Sequence, residues 1–180
     1  AFWDSESRGV NKANFVIDNA DRINEIPNSL LSQEMKDKYI GEAKFLRALY
    51  YFNLVTRFGD VPLITTIPEG GQGLPRTASE EVYAQIIADL KDASQTLLPK
   101  TEEENGRATR GAAYALLGKV YLYRENYAEA MQAFENVYGN YALADNYYDN
   151  FKAETEHGPE AIFAVEYDES MPNGAFWNSD

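Results

Sequence analysis

The sequence predicts a mostly α fold of stacked tetratricopeptide-like helical hairpins, with a short β element near the C-terminus. Three observations predict it. Apolar residues recur at helical spacing through most of the first 140 positions. Helix start and stop residues divide that stretch into segments of ordinary helix length. The span 114–137 also carries the tetratricopeptide pattern W-x2-L-G-x2-Y followed by A-x3-F, as Tyr114, Leu117, Gly118, Tyr121, Ala130 and Phe134. Tyr replaces Trp at the first position, and Ala142 stands where Pro is expected.

Residues 8–25 form the first expected helix, with Val10, Ala13, Asn14, Ile17 and Ala20 on one face and Pro27 as its stop. Ser32 is the N-cap of a second helix from about Gln33 to Thr56. Its second half is apolar nearly all round, so it should pack on several sides as the central helix. Gly59 ends it and Pro62 fixes an extended turn. A loop rich in Gly and Pro covers 68–76. Thr77 and Glu80 match a capping box that starts a helix bearing Val82, Ile86, Leu90, Ala93 and Leu97 on one stripe, ended by Pro99. Residues 107–124 make a helix rich in Ala and Gly, whose small side chains let a neighbour approach closely. Asn126 and Glu129 form another capping box for a helix that ends near Tyr138, with Gly139 as its left-handed cap.

In the repeat, Gly118 should sit where the two helix axes come closest, with Ala130 opposite and Phe134 filling the space beside it. The helix 33–56 and the helix 79–97 make a looser second pair. Residues 1–140 are therefore expected as a tetratricopeptide-like helical region. Residues 141–180 are expected as an irregular segment with a strand near 161–167, where Ala161 to Tyr167 alternate and are rich in β-formers. The chain opens at Ala1 inside a helical pattern and stops at Asp180 just past that strand-like run, so a piece of a longer protein is expected.

Composition narrows the chemistry. The net charge of −13 disfavours nucleic-acid binding, because such a chain repels phosphate backbones. With no Cys, disulfides, thiolate metal sites and cysteine nucleophiles are excluded within this stretch. The single histidine, His157, leaves little room for His-based catalysis and reads as an exposed loop residue. The sequence holds no P-loop, no G-x-S-x-G, no H-E-x-x-H and no G-x-G-x-x-G. No D-x-[DN]-x-[DN]-G calcium loop is present, so no metal and no cofactor is expected. Arg47 and Arg57 flank a buried segment and need carboxylate partners, for which Asp60 is near in sequence. Arg107 and Arg110 are expected to pair with the acidic turn at 102–104 or with a partner surface.

One block of residues resembles a known family. Ala43 to Val55, followed by Arg57-Phe58-Gly59-Asp60-Val61-Pro62-Leu63, is similar to the hallmark segment of the SusD/RagB family of outer-membrane nutrient-binding lipoproteins in Bacteroidetes. Trp3, Val10 and Ala13-Asn14 resemble the family's preceding helix, and the segments 81–90 and 106–123 its later ones. The resemblance implies a noncatalytic protein at the cell surface, lipid-anchored through an upstream Cys. It implies binding of a nutrient, most naturally an oligosaccharide or other glycan, and delivery to a TonB-dependent, SusC-like outer-membrane transporter. The family's binding residues vary, so none can be carried over by position.

Aromatic residues make up 13% of the chain, and most lie on helix stripes, where their ordinary place is the core. Flat rings also meet the C–H faces of sugars, while amides and carboxylates meet the hydroxyls. The ligand-binding candidates are therefore the rings off the stripes: Trp3, which should precede the first helix; Tyr147 and Tyr148, within Asp145-Asn146-Tyr147-Tyr148-Asp149-Asn150; and Phe176 and Trp177, within Asn173 to Asn178. A soluble tetratricopeptide scaffold that grips a peptide is the alternative, and a glycoside hydrolase a more distant one.

Overall fold

The computed structural model describes residues 2–67 and 73–166. Six α-helices carry the fold: α1 (Phe2–Asp18), α2 (Ala20–Asn24), α3 (Gln33–Phe58), α4 (Ser79–Thr96), α5 (Arg110–Tyr123) and α6 (Tyr127–Glu135). Among the described residues, no helix is long and apolar enough to cross a membrane.

The helices stack in chain order, α3 lying between α1 and α4, α4 beside α5, and α5 beside α6. The all-round apolar half of α3 makes it the centre: Phe45, Ala48, Tyr51, Phe52, Leu54 and Val55 are all buried. Val82, Ile86, Leu90 and Ala93 answer from α4. Ser32 caps α3 as its type requires, its hydroxyl accepting from the Met35 amide at 3.3 Å. Gly59 stops the helix at φ +66, where a side chain would be strained.

The contact between α5 and α6 follows the repeat geometry. Gly118 is buried, and a Cβ there would come within 2.5 Å of the Phe134 ring. Ala130 and Ala133 bury their methyl groups beside it. The Phe134 ring takes the space that a side chain at 118 would fill.

One buried polar network ties three layers together. The Arg47 guanidinium donates to both oxygens of Asp89 on α4, each at 2.7 Å. It also donates to Asn14 Oδ1 on α1 and to the Thr65 carbonyl, each at 2.9 Å. Tyr51 completes the network, its hydroxyl donating to the Ile64 carbonyl at 2.9 Å and accepting from the Ile64 amide at 2.7 Å. The partner of Arg47 is thus Asp89 rather than Asp60, because one turn of α4 faces the guanidinium across the core. Arg57 stacks instead on the Phe2 ring, 3.6 Å from its centroid.

Asp60 has another task. Its carboxylate accepts from the Ser79 amide at 2.8 Å and so caps α4 from a distance. The expected Thr77 capping box does not form: Ala78 holds the N-cap position, while the Thr77 hydroxyl accepts from the Leu63 amide at 3.3 Å. Thr77 is paired with Val61 in an isolated antiparallel bridge. Asn126 does hold the N-cap position of α6, but its side chain caps nothing.

The expected strand at 161–167 is corrected over its described part. Residues 161–166 are irregular, and Tyr167 lies outside the described residues. A strand needs a neighbour to complete its ladder, and Ile162 and Phe163 instead pack on the helical core, Phe163 meeting Phe45 edge to face at 5.1 Å. Alternating apolar residues here serve a half-buried strap, not a sheet.

Candidate functional site

The segment after α6 folds back as two short 3₁₀ turns, Tyr147–Phe151 and Ala153–Thr155. Asn146 starts the first, its Oδ1 accepting from the Tyr148 amide at 3.1 Å. The turn places Tyr147, Tyr148 and Phe151 in one cluster. Tyr147 meets Tyr148 at 6.2 Å and Phe151 at 5.3 Å between ring centroids, with steep interplanar angles. Each of the three residues is 71% exposed. Three adjoining rings are thus left in water. Amide and carboxylate groups surround them, from Asn146, Asp149 and Asn150, with Lys152 paired to Asp149 at 2.7 Å.

Two anchors hold this surface. Glu160 accepts from the Ala144 amide at 3.1 Å and from the Asn150 side chain at 2.9 Å. Those hydrogen bonds, the Asn150 one foremost, hold its carboxyl below the usual range. Lys100 donates to the carbonyls of His157 at 3.3 Å and of Gly158 and Ala161, each at 2.8 Å, tying the returning segment to the loop after α4. Partial burial lowers the Lys100 ammonium from its ordinary value.

Trp3 lies elsewhere. It sits inside α1, since that helix begins at Phe2, before the expected start. Its indole meets Phe58 edge to face at 5.1 Å. With Val10, Tyr51, Leu54, Ile64 and Leu74 it lines an open cleft of about 340 Å³, where Ser7 and Asn11 add polar groups. The structure therefore brings Tyr147 and Tyr148 together, adds Phe151, and leaves Trp3 at a separate apolar cleft. Phe176 and Trp177 lie outside the described residues. Phe151 was legible as a third ring four residues beyond Tyr147 in the same amide-rich run; the two anchors were not, because their partners lie far away along the chain.

Buried carboxylates also gather at the opposite end of α3. Burial pushes the Glu42 carboxyl up, and Arg107 partly offsets this. Both Glu42 oxygens accept from Arg107, at 2.9 and 2.5 Å. Glu103 is paired with Lys38, whose ammonium lies 2.8 Å from Oε1 and 2.6 Å from Oε2. Arg107 stands 3.6 Å from the same carboxylate, so it does reach the acidic turn as its position suggested. Arg110 donates instead to the Leu97 carbonyl at 3.2 Å. Two carboxylates each locked by a cation are structural ion pairs and offer no free acid or base.

A helical stack that ends in a stapled cluster of exposed rings defines a scaffold that presents a surface. The family follows from sequence. A profile for SusD-like proteins, described as starch-binding and associating with the outer membrane, matches residues 1–122. The chain belongs to the SusD/RagB family. A SusD-like protein of Formosa agariphila is 31% identical over 93% of this chain and 34% of its own length. A solved SusD-like protein of Bacteroides fragilis superposes with a TM-score of 0.76 at 31% identity, over 94% of this chain and 34% of that one. A laminarin-binding SusD-like protein gives a TM-score of 0.77 at 32% identity, over 90% of this chain and 36% of that one. The chain spans about a third of the length of these relatives.

Proposed function

We propose that this chain is the helical part of a noncatalytic glycan-binding protein of the bacterial cell surface. It passes its ligand to a TonB-dependent, SusC-like transporter, and a lipid anchor upstream of this segment holds the whole protein at the outer membrane. The observation that carries the binding reading is the exposed cluster of Tyr147, Tyr148 and Phe151, ringed by amides and carboxylates. Rings of this kind cover sugar C–H faces at low entropic cost, and the flanking groups hydrogen-bond the hydroxyl rims. Family membership supports the ligand class, since relatives include a starch-binding protein and a laminarin-binding one. A glucose polymer is therefore the first ligand to test.

Affinity electrophoresis and calorimetry with laminarin and starch test the reading. Retardation by one of them, reduced in Y147A/Y148A and unchanged in W3A, supports it. Retardation lost in W3A alone moves the site to the cleft on α1. No interaction with a broad glycan panel overturns glycan binding by this part of the protein. Co-purification with a SusC-like transporter, and absence of oligosaccharide turnover, test the delivery and noncatalytic parts.

A further inference from the structure

We propose that Glu156, His157 and Glu166 form a divalent-metal site suited to Zn²⁺. The donor set is one imidazole and two carboxylates, whose ligand atoms all lie within 4.8 Å of one another. That mixture suits zinc, which takes nitrogen and oxygen donors at about 2.0–2.2 Å in tetrahedral geometry. Ligand atoms on such an ion stand about 3.4 Å apart. His157 Nε2 and Glu166 Oε1 are separated by 3.4 Å, the length of one edge of that tetrahedron. A small swing of the exposed Glu156 side chain supplies the third corner.

The surroundings fix the backbone at His157 and seat Glu166. Lys100 fixes the backbone on both sides of the His157 turn through the carbonyls of His157, Gly158 and Ala161. Its ammonium is thereby turned to those carbonyls, and no hydrogen bond of it reaches the three donors. Glu166 lies against Gly106, where any Cβ would overlap its Cγ, so the glycine makes the seat for this ligand. The three residues line an open cleft of about 280 Å³ with Thr155, Ala161 and Ala164. A tetrahedral ion held by three side chains would face that cleft with its fourth position, leaving it to water or to an oxygen of a bound ligand. An ion there would cross-link the His157 turn to the strap that packs on the core. The proposal does not rest on the glycan reading.

Calorimetric titration of the chain with ZnCl₂, and with CoCl₂ for the visible absorption of tetrahedral cobalt, tests the proposal. One ion per chain is expected, with binding weakened at least about tenfold in both H157Q and E166Q. E154Q, which alters a nearby carboxylate outside the trio, should bind as the parent does. Circular dichroism of the metal-free variants checks folding, which these exposed or half-exposed positions should not disturb. Absence of saturable zinc binding overturns the proposal and leaves His157 and Glu166 as a plain surface pair. Zinc binding of parental affinity in H157Q or E166Q overturns it equally.

Discussion

The helical stack and the segment 141–166 handle polar groups and rings in opposite ways. In the stack, Arg47, Asp89, Asn14 and Tyr51 are buried and satisfied by one another and by the backbone of Ile64 and Thr65, and the buried rings of Phe45, Tyr51 and Phe52 on α3 close the core. In the segment, single long-range anchors, Lys100 and Glu160, hold a backbone that leaves Tyr147, Tyr148 and Phe151 in water, while the Phe163 ring packs against Phe45. The difference shows where each kind of residue does its work. Buried polar groups hold the α1–α3–α4 layers in register, and the exposed rings of Tyr147, Tyr148 and Phe151 are spared that duty.

The largest expected effect lies at Asp89. D89A leaves the Arg47 guanidinium buried without its carboxylate, which should cost about 3–5 kcal/mol in chemical denaturation. The double variant R47M/D89L removes both charges and should recover most of that loss. If D89A costs less than about 1 kcal/mol, water reaches the network and the contrast between the two regions fails. Next comes the helix contact at 118. G118L must push the Phe134 ring and α6 away from α5, and should cost roughly 1–3 kcal/mol. G118A should be nearly neutral, because the partly exposed Phe134 ring can give way while Ala gains about 1 kcal/mol in helix propensity over Gly.

The stack was largely legible in the sequence because its information is periodic. The stripe on α4 and the all-round apolar half of α3 dictated burial, and Gly118, Ala130 and Phe134 met as their spacing required. What escaped depended on distance. Asp60 was the nearest carboxylate to Arg47 in the chain, yet it caps α4, while Asp89 reaches the guanidinium across the core. Thr77 had the spacing of a capping box, but its hydroxyl found the Leu63 amide first. The segment 161–166 had a strand's alternation without a ladder partner among the described residues, so its apolar residues pack on helices. For the site, the rings of Tyr147 and Tyr148 stood out by lying off every stripe. Their anchors did not, since no local pattern says that Lys100 will gather three carbonyls from residues 157–161.

The separation of duties has a smaller, direct consequence at the rings. Y147A/Y148A should weaken glycan binding at least about tenfold, or 1.4 kcal/mol. It should change unfolding free energy by no more than about 0.5 kcal/mol, because neither ring touches the core. A large loss of stability would show that the cluster is packing, and would remove it as a binding surface.

The smallest effect sharpens the comparison at Glu160. Its carboxyl is held below the usual 4.5 by the Asn150 side chain and then by the Ala144 amide. A depressed value means that the folded state favours the carboxylate. The stabilisation is therefore fully present above about pH 4.5 and is lost as the pH falls through the lower folded value. Protonation takes away the charged acceptor that joins Ala144 and Asn150 to Glu160 in the returning segment. In an NMR titration the Ala144 amide should shift with a midpoint below 4.5, and E160Q should abolish that shift. The stack should show no shift that E160Q abolishes, because Glu160 takes its hydrogen bonds from Ala144 and Asn150 and from no α-helix. Movement of α3 and α4 amides that E160Q abolishes along with the Ala144 shift would mean that the segment and the stack fold as one unit, and that the anchors at 100 and 160 belong to the core after all.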